Sequence, residues 1–243
     1  EKKQCPENLF VLGRFIVDGF KTQHPSCRGY FLSHFHSDHY GGLTKSWPSV
    51  ENGGLPVYCT QVTADLANHV IGTPADRFKP IPLNQPFELE EGAVQVVALD
   101  AGHCPGAAMF LFWEKKTQNS VLHTGDFRCE GRSQIEALGW SRWVKERVID
   151  TLMIDTTFCD SEYEEFPRKE DAEMLIAHMT KKRISQGALV LIGTYTIGKE
   201  RVLERVSKVC QKKVFVDSKK HKLLELMKAD MSCYTTERSS TQI

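Results

Sequence analysis

The sequence lacks an excess of charge of either sign, and it lacks a long hydrophobic run. Its 243 residues include 31 Lys and Arg and 31 Asp and Glu, which gives a formal net charge of zero. A nucleic-acid-binding protein of this composition would have to use a local basic patch or bound metal ions. No apolar stretch is long enough to span a membrane and no signal peptide is evident, so we expect no membrane partner.

Cysteine is present, but its spacing does not indicate a disulfide framework. The eight cysteines form no CxxC pair, which predicts reduced thiols and an intracellular protein. The chain starts with Glu1 instead of Met, and residues 239–243 do not resemble a natural terminus. We therefore expect a segment of a longer polypeptide.

Short apolar runs account for much of the 41% hydrophobic content, which is enough for one large domain or two small ones. Five runs rich in β-branched residues predict strands, and each leads to an acidic or imidazole residue. These are residues 15–17 before Asp18, 30–32 before His34, 94–99 before Asp100 and His103, 121–122 before Asp126, and 148–154 before Asp155. Because active sites of layered α/β folds gather where strands end, we expect these side chains at one edge.

The densest group of titratable residues is the stretch 34–39, of sequence HFHSDH. Imidazole and carboxylate are the usual ligands of zinc and similar divalent ions. In an extended turn, residues two apart point the same way, so His34 and His36 can share one ion. Asp38 and His39 are offset and free to serve a second ion. His103 and Asp126 follow at the ends of later strands and complete a candidate ligand set.

Past Pro167 the pattern changes to alternating helices and strands. Apolar residues at helical spacing predict helices over 171–182 and 199–209. The run 188–192, of sequence ALVLI, predicts a buried parallel strand between them. In the first part, residues 60–70 predict a short helix and 107–113 another buried strand.

Several longer strings resemble one known family. They are residues 31–40 (FLSHFHSDHY), 100–106 (DAGHCPG), 122–128 (LHTGDFR), 155–159 (DTTFC) and 193–200 (GTYTIGKE). Together they resemble the metallo-β-lactamase fold and, more narrowly, the β-CASP nucleases of DNA cross-link repair, the Artemis-like 5′ exonucleases. The resemblance covers nearly the whole chain.

The resemblance implies an α/β fold of the α+β type, a metallo-β-lactamase αββα sandwich. It places the catalytic core in residues 1–165 and the beginning of a β-CASP insertion domain in 166–243. The family's chain returns to the first domain after the insertion and brings a further histidine near the metals. No such return is present, so we expect the C-terminal part to be missing.

The resemblance also implies the ligand sets and their chemistry. A first metal would be held by His34, His36, His103 and Asp126, and a second by Asp38 and His39 with Asp126 bridging. Asp38, His39 and Asp126 would be catalytic, and Asp18 and Asp155 would orient the ligands. The cofactor would be zinc, as one or two divalent ions, with magnesium or manganese as alternatives. Water activated at the metals would attack a phosphodiester phosphorus.

The implied partner is DNA, single-stranded or with a free 5′-phosphate end, and the family role implies a nuclear location. Arg128, Thr156, Thr157 and Lys199 are candidate substrate contacts. Residues 193–199 also match the first seven positions of a phosphate-binding P-loop, but Glu200 replaces the Ser or Thr that binds magnesium. We interpret this stretch as a strand-to-helix turn, either purely structural or holding a DNA phosphate on its amides.

Three other functions stay open at this point. An RNA 3′-end-processing nuclease would use the same fold, but the strings at 155–159 and 193–200 favour the DNA group. A small-molecule hydrolase such as a glyoxalase or lactamase would not need the second part of the chain. A truncated, non-catalytic interaction module would keep its partner after Asp38→Ala, whereas an enzyme would lose its rate.

Overall fold

In the computed structural model, which describes residues 10–49, 53–145, 148–165 and 167–243, two five-stranded sheets dominate the first 156 residues. The first sheet follows chain order and is parallel except where β1 meets β2. Its strands are β1 (Phe10–Val11), β2 (Phe15–Val17), β3 (Gly29–Phe31), β4 (Val57–Cys59) and β5 (Phe78–Pro80). The loops after β2 and β3 carry Asp18 and the HFHSDH stretch.

The second sheet has the order β10-β9-β8-β7-β6 and is antiparallel except where β10 pairs with β9. Its strands are β6 (Pro86–Leu89), β7 (Val94–Asp100), β8 (Ala108–Glu114), β9 (Ser120–His123) and β10 (Thr151–Met153). The β7–β8 connection carries His103 and the segment after β9 carries Asp126. The expected strands at 94–99, 107–113 and 121–122 are therefore confirmed. The run 148–154 contains only the three-residue β10.

The two sheets pack face to face through an aromatic core. Phe15 stacks on Phe112 with ring centroids 5.9 Å apart, and Phe31 meets Phe110 edge-on at 5.0 Å. All four rings are almost completely buried, and burial of this kind is the main term that stabilises a sandwich. The core therefore fixes the relative position of the strand ends that deliver the candidate ligands.

Helices lie on the outer side of each sheet. The helices of this part of the chain are α1 (Ser37–Tyr40), α2 (Gln61–Ile71), α3 (Arg132–Ala137) and α4 (Trp140–Lys145). Helix α2 lies against β5 and is capped by Thr60, whose hydroxyl accepts the Thr63 amide. Trp140 and Trp143 of α4 pack on the outer face of the second sheet. The layers are thus helix, sheet, sheet and helix, as the resemblance implies.

Residues 157–243 form a second compact unit. It contains α5 (Lys169–Ser185), α6 (Glu200–Cys210), β11 (Val214–Phe215), α7 (Ser218–Leu226) and β12 (Tyr234–Thr235), with β11 and β12 parallel. The helices expected at 171–182 and 199–209 are confirmed. The boundary between the two units falls after residue 156, whereas assignment of 1–165 and 166–243 to a catalytic core and a β-CASP insertion stays a prediction. None of the described helices is long and apolar enough to cross a membrane.

The buried strand expected at 188–192 is wrong. No strand is assigned there, and Leu189 and Leu191 are 62% and 84% exposed. The segment is tied by a hydrogen bond from the Val190 amide to the Gln242 carbonyl at 2.8 Å. An apolar run predicts burial only when another layer covers it, and composition alone does not show whether that layer is present.

Helix α5 also exposes apolar residues that the sequence pattern would place on a buried face. Its apolar positions Leu175 and Met179 are 61% and 57% exposed, whereas Ala177 is fully buried. Helix α5 packs against α6, and its buried residues are Glu173, Ala177 and Thr180. Periodicity therefore predicted the helix, but not which face it buries.

Candidate metal centre

Four side chains from three separate connections converge on one point. His34 follows β3, His36 precedes α1, His103 lies between β7 and β8, and Asp126 follows β9. Nδ1 of His36 lies 2.9 Å from Nε2 of His34 and 3.3 Å from Nε2 of His103. Oδ2 of Asp126 lies 3.6 Å from Nε2 of His103 and 3.9 Å from Nε2 of His34.

This donor set fits a divalent metal ion. A tetrahedral ion with bonds of about 2.0–2.1 Å holds its ligand atoms about 3.4 Å apart, and the four ligand atoms all lie within 4.8 Å of one another. Three imidazole nitrogens and one carboxylate oxygen are also a typical zinc-like set. The cluster therefore has the composition and spacing of a metal site.

A second group of ligand atoms shares Asp126 with the first. Nε2 of His39 lies 3.3 Å from Oδ1 of Asp126 and 3.6 Å from Oδ2 of Asp38. The two oxygens of Asp126 thus face different groups, Oδ2 toward the first and Oδ1 toward the second. Asp38 has a side chain that is 77% exposed, whereas His34 is fully buried. Asp38 is therefore the candidate ligand that is most exposed to solvent.

Local backbone structure explains why the HFHSDH stretch serves both groups. His36 has an extended backbone and α1 begins immediately after it, with the His39 and Tyr40 amides both bonded to the His36 carbonyl at 3.0 Å. The bend at residues 34–35 and the extended His36 bring the two rings together, with Nε2 of His34 2.9 Å from Nδ1 of His36. The helical turn then carries Asp38 and His39 to the neighbouring position. The change from extended backbone at His36 to helix at Ser37 separates the two groups.

Asp18 and Ser33 support the histidines from behind. Oδ2 of Asp18 is 2.8 Å from Nδ1 of His39 and 2.6 Å from the Ser33 hydroxyl, and Oδ1 accepts the Ser33 amide at 2.8 Å. Asp18 has a positive φ of 53°, a conformation that non-glycine residues adopt rarely and often at functional sites. Sequence reasoning named Asp18 but missed Ser33, whose only signal was its place directly before His34.

The surroundings of His34 and His39 shift the pKa values of these two histidines in opposite directions. Burial and the neighbouring His39, His36 and His103 lower the pKa of His34 strongly, so this ring stays neutral as metal binding requires. Burial alone would also lower the pKa of His39, but its hydrogen bonds to Asp126 and Asp18 outweigh burial and raise that pKa to about 10. The hydrogen bond to His39 in turn lowers the pKa of Asp126.

The other candidate residues of the first unit lie on segments that border the cluster. The Asp155 amide donates to the Thr124 hydroxyl at 3.0 Å, and the Arg128 amide donates to the Ala101 carbonyl at 2.8 Å. These bonds tie the segment containing Asp126 to β10 and to the His103 loop. Thr156 is exposed at the end of the unit. The expected roles of Asp155 as a supporting carboxylate and of Arg128 and Thr156 as substrate contacts stay predictions.

Thr157 and Lys199 belong to the second unit, and both are exposed. Nζ of Lys199 lies 4.5 Å above the ring of Tyr195, a cation–π contact at the surface. Their roles as substrate contacts also stay predictions.

The carboxylate of Glu200 binds the turn at 193–199 from within the same chain. Oε1 of Glu200 accepts the Gly198 amide at 2.9 Å and pairs with Nζ of Lys220 at 2.9 Å. Lys220 also donates to the Thr196 carbonyl at 2.9 Å. Glu200 is 6% exposed, so the Gly198 amide, which a P-loop would offer to phosphate, already has an internal acceptor. The purely structural interpretation of this turn is therefore favoured.

His123 supports the turn before Asp126. Its Nδ1 accepts the Gly125 amide at 3.1 Å, so it acts on the backbone next to a candidate ligand. Gly125 has a φ of +50°, and a Cβ there would lie 2.8 Å from the Ser33 side chain. Only glycine meets both requirements without strain.

Comparison with known proteins agrees with this geometry. A model of the Beta-lactamase superfamily domain matches residues 20–195, which include every candidate ligand and most of the sandwich. The chain belongs to the metallo-β-lactamase superfamily. The αββα layers are thus the fold of that superfamily, and the cluster of His34, His36, His103 and Asp126 fits the binding of a divalent metal ion.

The relatives of this superfamily member include named DNA repair proteins. It is 35% identical over 230 residues to the DNA cross-link repair 1A protein of Homo sapiens, covering 93% of this chain and 21% of that protein. It is 36% identical over 239 residues to the DNA cross-link repair protein pso2/snm1 of Schizosaccharomyces pombe, covering 94% and 39%. The 5′ exonuclease Apollo of Gallus gallus is 35% identical over 176 residues, covering 72% and 35%. The chain therefore spans well under half the length of these relatives.

Proposed function

We propose that this chain is the metal-binding part of a DNA nuclease that hydrolyses phosphodiester bonds in the repair of interstrand cross-links or double-strand breaks. The observation that carries the proposal is the pair of ligand groups joined by Asp126. Two adjacent divalent ions are a recurrent solution for phosphodiester hydrolysis because they stabilise both the attacking and the leaving oxygen. The likeness to named cross-link repair proteins over more than nine-tenths of the chain supplies the substrate class.

The finer proposal is a 5′ exonuclease that acts on single-stranded DNA or on a free 5′-phosphate end. The name of the Apollo relative supports this polarity. DNA repair also implies a nuclear location. Arg128, Thr156, Thr157 and Lys199 supply the cationic and hydroxyl groups proposed to contact the DNA backbone, since phosphate oxygens are bound mainly by such side chains.

In this proposal each residue has a separate task. His34, His36 and His103 would hold the first ion, and Asp38 and His39 would hold the second. Asp126, whose two oxygens face the two groups, would contribute a ligand to each. When bound, the ions supply Lewis-acid charge beside the phosphoryl oxygens and lower the pKa of coordinated water.

The remaining side chains keep these ligands in place. Asp18 holds Nδ1 of His39 and leaves Nε2 facing Asp38 and Asp126. The exposed Asp38 marks the side from which DNA would approach. We propose zinc as the ion because three imidazoles favour it over magnesium or manganese, which prefer oxygen ligands.

The test measures release of labelled nucleotide from a 5′-phosphorylated single-stranded DNA, with zinc, magnesium or manganese added in turn. We expect metal-dependent release that EDTA abolishes and that Asp38→Ala reduces at least about 100-fold. Asp76→Ala is the matched control, because Asp76 is another exposed aspartate of the first unit, with a side chain 63% exposed. This control should keep the full rate.

Three further substrates decide the finer points. A 5′-hydroxyl DNA should be cut more slowly than the 5′-phosphorylated strand, and an RNA of the same sequence should be a poor substrate. Equal cutting of RNA would favour an RNA-processing nuclease. A folded, metal-loaded chain that cuts neither nucleic acid would contradict the proposal for this chain.

A further inference from the structure

The hydroxyl of Ser33 lies between the carboxylate of Asp18 and a candidate metal ligand. Its Oγ is 2.6 Å from Oδ2 of Asp18 and 3.0 Å from Nδ1 of His34, with Nδ1 of His39 farther away at 3.5 Å. Ser33 is 1% exposed and His34 is fully buried. Buried polar groups at these distances are hydrogen-bonded, so the direction of each bond can be worked out.

Donor and acceptor counting leaves one arrangement. A hydroxyl has one proton, and the oxygens of Asp18 already accept the Ser33 amide and face Nδ1 of His39, so the Ser33 hydroxyl donates to Asp18. The lone pairs of the same oxygen are then available to accept a proton from Nδ1 of His34. His34 therefore carries its proton on Nδ1, and the lone pair of its Nε2 faces His36 and Asp126.

We propose that Ser33 is a positioning residue that connects Asp18 to His34 and holds His34 in the tautomer whose Nε2 can bind a metal ion. The inference rests on the metal centre of the proposed function and extends it. Asp18 thereby serves both ligand groups, acting directly on His39 and through Ser33 on His34. A single carboxylate would keep one histidine of each group correctly oriented.

Neighbouring residues surround Ser33 closely on several sides. The Ala108 amide donates to the Ser33 carbonyl at 2.9 Å, and the Ser33 amide donates to Asp18 at 2.8 Å. On the other side lies Gly125, where a Cβ would come within 2.8 Å of the Ser33 Cβ and Oγ. Ser33 is thus held between the loop that carries Asp18 and the connection that carries Asp126.

The test compares Ser33→Ala with Ser120→Ala in the whole chain. Ser120 is also 1% exposed, and its hydroxyl also lies within hydrogen-bond distance of a carboxylate, with Oδ2 of Asp150 at 3.0 Å, but it does not belong to the histidine cluster. The first readout is zinc affinity by competition with a chelator. The second is the tautomer of His34, read from long-range proton–nitrogen spectra of the metal-free, nitrogen-15-labelled chain and assigned with His34→Gln.

We expect Ser33→Ala to weaken zinc binding about 10- to 100-fold and to shift His34 toward protonation on Nε2. Ser120→Ala should leave zinc affinity and the His34 tautomer as in the wild type. Unchanged zinc affinity and an unchanged tautomer in Ser33→Ala would overturn the inference. If Ser33→Ala does not fold, the wild-type spectrum still decides, since a His34 protonated on Nε2 in the metal-free chain contradicts it.

These readouts do not depend on cleavage of DNA. If the wild type binds zinc with His34 protonated on Nδ1 but cuts no DNA, the role of Ser33 stands and the proposed function fails. If DNA is cut while Ser33→Ala binds zinc like the wild type, the proposed function stands and the role of Ser33 fails. A wild-type chain that binds no divalent metal contradicts both.

Discussion

The carboxylate of Asp18 lies 2.8 Å from Nδ1 of His39, although 21 positions separate the two residues in the sequence. A histidine that donates from Nδ1 presents Nε2 as its metal-binding atom, and a carboxylate acceptor fixes that orientation. Nε2 of His39 accordingly faces Asp38 and Asp126. The end of β2 therefore contacts the centre that the HFHSDH stretch forms.

Replacing Asp18 with asparagine should weaken the centre without removing a ligand. Asp18→Asn loses the charge that orients His39, so we expect metal affinity to fall about 10- to 100-fold, measured by chelator competition. Asp65→Asn is the matched control because Asp65 accepts a side-chain hydrogen bond from Gln61 at 2.8 Å in the same unit. Equal affinities of the two variants would contradict the assigned role of Asp18.

The bridging position of Asp126 predicts different metal contents for two aspartate variants. Asp126→Ala removes an oxygen from both ligand groups and should leave the chain with less than one bound ion. Asp38→Ala removes an oxygen from the second group alone and should leave about one. Elemental analysis after gel filtration gives both stoichiometries, and identical contents would argue against a shared ligand.

Metal uptake should release a proton from His39 and should strengthen as pH rises. The pKa of His39 is raised to about 10 in the metal-free fold, so its protonated form stabilises that fold below the ordinary pKa, and this contribution is lost as pH rises through the folded value. A metal ion needs the neutral ring. We expect affinity at the second group to rise by up to roughly tenfold per pH unit between pH 6 and 9. Calorimetric titration in buffers of different ionisation enthalpy counts the protons, and a pH-independent affinity would refute this account.

Gly125→Ala should disturb the centre through packing. The new Cβ would sit at a φ of +50° and 2.8 Å from the Ser33 side chain, so we expect about 1–3 kcal/mol lower stability and weaker metal binding. Gly13→Ala is the control, since Gly13 has a φ of +64° with nothing within 4 Å. Thermal unfolding and chelator competition separate backbone strain from the clash with Ser33. If Gly13→Ala loses as much metal affinity as Gly125→Ala, the loss comes from backbone strain and not from the clash with Ser33.

The pair formed by Lys220 and Glu200 should stabilise the second unit. Both side chains are largely buried, at 15% and 7% exposure, so Lys220→Met leaves Glu200 without its cation. We expect a loss of about 3–5 kcal/mol in unfolding free energy, measured with urea. Lys222→Met, at a 51% exposed lysine paired with Glu225, should cost less than about 1 kcal/mol. Similar losses in both variants would show that the turn at 193–199 does not depend on this pair.

Elements with strong local signals could be predicted from the sequence. The runs before Asp18, His34, Asp100 and Asp126 are strands because short β-branched segments between turns favour that structure. The run at 188–192 carried the same signal and was predicted wrongly, as Leu191 is 84% exposed. Local composition reports a tendency to pair and be buried, and burial itself needs a second layer.

The sequence by itself determined the chemistry of the centre. It placed His34, His36, Asp38 and His39 within six residues, and backbone geometry over that distance leaves few ways to arrange them. Tertiary structure alone decided which distant groups meet: His36 with His103 across 67 positions, and Ser33 with Asp18 across 15. It also decided that Asp126 faces both ligand groups and that the Glu200 carboxylate accepts the Gly198 amide. Such contacts depend on how two sheets or two helices pack, and packing is a property of the whole folded chain.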